Sequence, residues 1–235
     1  MVLKKYFLTG GSGTLGAEII KHQRNNSIQI VSPSSSKCDV RDYDSLYNQI
    51  NTSDCDVVIH CAALTDVKKI ELDATDACEI NVFGTLNIIK ICQQLNKKLV
   101  FISTDYVFDG KKGDYKINDA INPISKYAKT KAAAELLVRC FDNHLVIRTS
   151  FFGHKFPYDK AAMDQFSTKD YVDIIVPIVM KTINNDQFGV VHIGTAKSST
   201  YEKALQRSPN VKKIYLKDLD FKIPKDISLF IGEQL

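Results

Sequence analysis

The stretch KKYFLTGGSGTLG, residues 4–16, decides how the rest of the chain reads. A short apolar run stops at glycine, and glycines recur at positions 10, 13 and 16 in the spacing G-x-x-G-x-x-G. Leu15, Ile19 and Ile20 then follow at helical spacing. Glycine is required where a chain turns tightly between a strand and a helix, and where backbone must approach a pyrophosphate closely. The helix that follows offers free N–H groups and about half a positive charge at its start. Such a turn on its own also serves packing. Its place after a strand and before a helix points to a bound dinucleotide.

Outward from this turn the pattern alternates. IQIV (residues 28–31) reads as a second strand and residues 42–50 as an amphipathic helix. DVVIHCA (56–62) and KLVFIST (98–104) are nearly continuous apolar runs, as central parallel strands require. Residues 74–95 read as one long helix with a broad apolar stripe, 125–141 as another helix and 144–149 as a strand. This order predicts an α/β fold, a Rossmann-type doubly wound parallel sheet. The expected division is a dinucleotide-binding domain over 1–150 and a small lobe over 151–235, partly interleaved with it.

Three further pieces carry chemistry. After the second strand the chain reads Ser32-Pro33-Ser34-Ser35-Ser36-Lys37, without the acid that binds the ribose 2′-hydroxyl of NAD. Hydroxyls and Lys37 suit a 2′-phosphate, so the loop points to NADPH, with NADH as the alternative; a plain polar surface loop reads equally well. Tyr127 and Lys131 form Y-x-x-x-K, which puts both on one helical face. A phenol with a pKa near 10 is a poor acid or base at neutral pH, and a nearby ammonium is expected to lower it toward the useful range. Ser103 and Thr104 end a buried strand at the sheet edge where ligands bind. A Thr104 hydroxyl there can hydrogen-bond a carbonyl oxygen beside the phenol, or simply cap the strand.

With GGSGTLG, the segments DVVIHCAALTDVKKIE (56–71), EINVFGTLNI (79–88), STDYVFDG (103–110), NPISKYAKTKAAAE (122–135) and IRTS (147–150) resemble the dTDP-4-dehydrorhamnose reductase family of the extended short-chain dehydrogenase/reductases. The resemblance covers roughly residues 3–195, with DQFSTKDYVD (164–173) a fainter match. It implies an NADPH-dependent reduction of a nucleotide-linked 4-keto-6-deoxysugar. By position it assigns Thr104, Tyr127 and Lys131 to catalysis and Gly10, Ser12, Gly13, Thr14 and Leu15 to the phosphate turn. It puts Asp39 and Val40 at the adenine, Ala62, Ala63 and Thr65 along ribose and nicotinamide, and Asn81 and Ser103 as supports of the cofactor site. Val67, Asp105 and Val107 fall near the sugar. The chain is shorter than that family's usual length, with the deficit after Ser150, so Lys155, Lys160 and Arg207 are the remaining candidates for the substrate's diphosphate.

The remaining composition narrows the function classes. The chain has 235 residues, with 31 Lys+Arg against 27 Asp+Glu, a net +4 without a basic block. That balance argues against a nucleic-acid partner. The longest apolar stretches are too short to span a bilayer. The six cysteines form no CxxC pair, which predicts free core thiols and no zinc site. The expected location is the cytoplasm; no leader peptide is read at the start, and a homodimer is compatible with the sequence. Two other readings stand beside the reductase: an NADP-binding regulatory subunit resembling the methionine adenosyltransferase β subunit, and an epimerase/reductase, disfavoured because no cysteine lies in the stretch Thr104–Tyr106.

Overall fold

In the computed structural model, which describes residues 4–23, 28–219 and 223–232, the apolar runs become parallel strands of one six-stranded sheet. These are β1 (Lys5–Thr9), β2 (Gln29–Val31), β3 (Val57–His60), β4 (Lys98–Ser103), β5 (His144–Arg148) and a last strand, Gly189–His192. Across the sheet they run β2, β1, β3, β4, β5 and Gly189–His192, every neighbouring pair parallel. The order turns back on itself between β1 and β3, and the crevice at the carboxyl ends of such a pair is where ligands sit in doubly wound sheets. Register brings Thr9 level with His60, and Ser103 level with Arg148 and His192.

Alternation along each strand sends side chains to two apolar layers, as a sheet covered on both faces demands. Tyr6, Leu8, Ile59, Val100 and Ile147 pack with Ile19 of helix α1 (Thr14–Gln23) and with Val176 and Met180 of the helix Val172–Asn184. On the other face Phe7, Val58, Leu99 and Val146 pack with Leu46 and Ile50 of α2 (Tyr43–Ser53), Ile88 and Cys92 of the helix Gly84–Gln94, and Ala134 and Val138 of the helix Lys126–Val138. Central strands β3 and β4 are buried along their whole length, matching their unbroken apolar sequences.

The long helix expected over 74–95 is interrupted by a π-helical segment, Cys78–Phe83, which carries the buried Asn81. A π segment makes room for one extra residue and often marks a functional site. A short helix, α3 (Val67–Leu72), also precedes it, capped by the Asp66 carboxylate on the Lys69 N–H. Past Ser150 the chain forms three two-stranded ribbons and the short helix Thr200–Leu205, while Val172–Asn184 and Gly189–His192 return to the main sheet. Phe152, Phe156, Tyr171, Ala204 and Val211 give these ribbons a small core of their own.

The expectation of core thiols holds for Cys38, Cys55 and Cys92; Cys61 and Cys78 are half-buried and Cys140 is exposed, and none of the six is paired. The first helix, expected from the spacing of Leu15, Ile19 and Ile20, is described as far as Gln23. Among the described residues no helix is long and apolar enough to cross a membrane.

Candidate active site

The glycine turn is shaped by lack of space. Gly10 sits at φ +73°, and a Cβ there would lie 2.6 Å from the Ala62 backbone nitrogen. A Cβ on Gly16 would lie 2.3 Å from the Gly10 carbonyl oxygen. The Gly13 N–H donates to that same carbonyl at 3.0 Å, closing the turn. Ser12, Gly13 and Thr14 are exposed at the start of α1, where an anion can approach the free N–H groups of a helix. Leu15 instead buries its side chain in the core, leaving only its backbone to serve a ligand.

Across Cys61 and Ala62 from this turn lies the helix Lys126–Val138. Its start is fixed by the Ser125 hydroxyl, which accepts from the Ala128 N–H, and by Glu71, which accepts from the Lys126 N–H at 2.6 Å. Three residues at four-residue spacing face the end of β4. The Tyr127 phenol lies beside the Thr104 hydroxyl. Lys131 Nζ donates to the Ile102 carbonyl at 2.7 Å and lies 4.1 Å from the Phe101 ring centroid. Glu135 Oε2 accepts from the Ser103 hydroxyl at 2.6 Å. Thus strand residues 102, 103 and 104 are each held by one turn of a single helix. The small side chain of Ala134, buried with Leu99 and Phe101 of β4, lets helix and strand approach closely.

The electrostatics differ from the expectation for the phenol. Burial, and then the nearby Asp105 and Tyr106, push Tyr127 above its ordinary value, with the Thr104 hydroxyl pulling it back. Lys131 is not among the groups that set this value; its ammonium donates to the Ile102 carbonyl. Burial lowers Lys131 itself to about 8, opposed by Cys61 and Glu135. A proton donor has to be protonated, and a raised phenol stays loaded throughout the neutral range.

The loop after β3 is braced from behind. Asn81 accepts from the Leu64 N–H at 2.8 Å, donates to the Leu64 carbonyl at 3.0 Å and donates to the Thr130 hydroxyl at 3.0 Å. The π segment therefore ties the loop to the helix of Tyr127 and Lys131. His60 bridges Thr9 and Thr85 at 2.7 and 3.0 Å, and burial, then Lys131, lowers it to about 3, so it is neutral. Ala62 and Ala63 are half-buried along this loop, Thr65 is exposed and Val67 begins α3.

Other expected residues fall elsewhere. Val107 is fully buried against Phe108, Tyr115, Ala132 and Leu229, so its side chain is core and not a sugar contact. Asp105 is also buried, receiving hydrogen bonds from Ser150 and Thr104, and desolvation raises its pKa. It lies beneath Thr104 rather than in the open. The Ser32 hydroxyl donates to the Leu8 carbonyl at 2.9 Å and is not free for a 2′-phosphate; Ser34, Ser36 and Lys37 remain exposed. Asp39 is engaged by Arg41, 2.6 Å from its Nη2, while the Val40 side chain packs beside Gly84. Arg207 is held by Asp173 at 2.7 and 2.9 Å, which removes it from the diphosphate candidates. Lys155 and Lys160 are exposed.

Sequence reasoning missed Glu135, Ser150 and Lys169. Glu135 had a signal: it continues the line of Tyr127 and Lys131 as the one acid after Lys-Ala-Ala-Ala. Ser150 and Lys169 reach Asp105 only through tertiary folding, so nothing local marks them.

The fold is thus a doubly wound sheet with a glycine turn at its switch point, and the end of β4 carries a phenol, an ammonium and a hydroxyl. The chain belongs to the RmlD substrate binding domain family, whose profile matches residues 4–175. It is 32% identical over 152 residues to a dTDP-4-dehydrorhamnose reductase of Aggregatibacter actinomycetemcomitans, covering 63% of this chain and 52% of the relative. It is also 32% identical over 139 residues to methionine adenosyltransferase 2 subunit beta of Danio rerio, covering 56% and 42%. The chain thus spans about half the length of the curated relatives it matches. A solved dTDP-4-dehydrorhamnose reductase from Clostridium acetobutylicum superposes with a TM-score of 0.87 at 27% identity, covering 96% of this chain and 89% of that one.

Proposed function

We propose that this protein is an NADPH-dependent reductase of a nucleotide-linked 4-keto-6-deoxysugar. The carrying observation is the helical face of Tyr127 and Lys131 set against the end of β4, with Lys131 Nζ on the Ile102 carbonyl and the Thr104 hydroxyl beside the Tyr127 phenol. The cramped Gly10 and Gly16 and the exposed start of α1 fit a pyrophosphate. Gly10, Ser12, Gly13, Thr14 and Leu15 would hold it through backbone, with Asp39 and Val40 at the adenine. Ala62, Ala63 and Thr65 would line ribose and nicotinamide, supported by Asn81 and Ser103. A bound nicotinamide supplies the hydride.

The chain's own residues orient the ketone and deliver the proton. Tyr127 gives its phenolic proton to the oxygen that gains negative charge. Thr104, beside that phenol, steadies the same oxygen. The Lys131 ammonium, held by the Ile102 carbonyl, binds ribose hydroxyls. Val67 lies where the sugar would enter. Asp105 acts from below through Thr104. Positioned proton transfer of this kind contributes about 10²–10⁴ in rate.

A binding-only role is the second reading, favoured by the equal identity to the methionine adenosyltransferase subunit. The two separate in one assay, absorbance at 340 nm with NADPH and a panel of nucleotide 4-keto sugars. Oxidation supports the reductase. Tight NADPH binding without oxidation of any substrate supports the binding-only role.

A further inference from the structure

Glu135 and Arg148 are both fully buried. Arg148 grips Glu135 through Nη2 at 2.7 Å and Nε at 3.1 and 3.2 Å. Its Nη1 donates to the Ile117 carbonyl at 3.0 Å, and its guanidinium lies 5.1 Å from the Phe108 ring centroid. A buried ion pair costs several kcal/mol per ion in desolvation and is often replaceable by apolar residues without loss of stability. Stability therefore does not account for it.

Its placement does. Ser103, which donates to Glu135, directly precedes Thr104. Lys131 lies one turn before Glu135 on the same helical face. Ile117 and Phe108 belong to the stretch that follows Thr104, so Arg148 also holds that stretch against the sheet.

We propose that Glu135 is a positioning residue for the reaction centre: seated on Arg148, it fixes Ser103 so that Thr104 meets Tyr127, and it sets a carboxylate one helical turn from Lys131. The inference rests on the reading of Tyr127, Lys131 and Thr104 as the reaction centre. The groups facing Lys131 are Cys61 and His60 from β3 and its end, Tyr127 and Glu135 from its own helix, and the Phe101 ring and Ile102 carbonyl from β4. His60 is neutral, and burial raises the Cys61 thiol to about 12. Glu135 is thus the one carboxylate among the groups that hold Lys131 up. Glu135 is in turn faced by Arg148 and, at 3.8 Å, by Arg139.

The test compares wild type, Glu135→Gln and Glu135→Asp as full-length proteins. NMR of ¹⁵N-lysine-labelled protein, with Lys131 assigned by Lys131→Met, follows the Lys131 titration without any need for turnover. In Glu135→Gln the Lys131 midpoint falls by at least about half a pH unit, and Glu135→Asp keeps most of the wild-type value. In turnover, Glu135→Gln lowers kcat about 10–100-fold with KM near wild type, and its alkaline limb moves to lower pH in step with the NMR midpoint. If Glu135→Gln does not fold, the charge-balanced Glu135→Gln/Arg148→Met replaces it, with the same expected midpoint. An unmoved Lys131 midpoint, or unchanged kcat in a folded variant, overturns the proposal. Wild-type protein that oxidises no NADPH counts against the reductase reading alone, while the Lys131 midpoint still decides the role of Glu135.

Discussion

The Ser103 hydroxyl donates to the Glu135 carboxylate at 2.6 Å, so the helix that carries Tyr127 is fastened to the strand residue beside Thr104. The phenol, ammonium and hydroxyl are therefore not three loose side chains at a sheet edge. They are one strand end clamped by one helical face, and their mutual geometry is inherited from the core.

The glycine turn leaves no room for a methyl group. Gly16→Ala would set a Cβ against the Gly10 carbonyl oxygen, a backbone atom that cannot swing aside. The expected cost is about 1–3 kcal/mol of stability, with NADPH affinity falling tenfold or more. Thermal unfolding and a titration of NADPH fluorescence read the two effects separately.

Asn81→Ala should remove the brace between Leu64 and Thr130. It leaves a buried N–H and a buried carbonyl at Leu64 without their partner. Unfolding in urea should show a loss of about 2–3 kcal/mol. A variant as stable as wild type would show that the π segment does not hold the loop.

His60 gives the fold an acid sensitivity of known sign. Its folded value of about 3 lies below the ordinary 6.5, so between those values the unfolded chain binds more protons. The contribution is fully present above pH 6.5 and is lost as the pH falls toward 3, at up to about 1.4 kcal/mol per pH unit. Stability measured in urea from pH 7 to 4 should fall less steeply in His60→Gln, whose side chain can still bond Thr9 and Thr85.

The serine loop predicts that NADPH binds at least as tightly as NADH. With Ser32 committed to the Leu8 carbonyl, the preference rests on Lys37 with Ser34 and Ser36. Lys37→Ala should weaken NADPH about 2–5-fold and leave NADH unchanged, as suits one exposed charge. A clear NADH preference in the wild type would contradict the reading of this loop.

Much of this was legible in the sequence because the signals are local. Apolar runs gave β1, β3 and β4 within a residue or two, and glycine spacing gave the turn at 10–16. Tyr127 and Lys131 share a face because helical periodicity makes them do so. What failed was set by tertiary contact. The π segment exists because Asn81 reaches Leu64 across 17 residues, and nothing in 74–95 announces it. Val107 reads as a site residue beside Asp105, yet the Phe108–Tyr115 stack and Leu229 draw it into the core. The rise of the Tyr127 pKa comes first from burial and then from Asp105 and Tyr106, surroundings that only the folded chain supplies.

The most direct test is the rate of NADPH oxidation with a nucleotide 4-keto-6-deoxysugar in wild type and in Tyr127→Phe. The account predicts steady oxidation by the wild type and a rate about 10²–10⁴-fold lower in the variant, which still binds NADPH. Equal rates in the two proteins, or no oxidation by a wild type that binds both ligands, would contradict it.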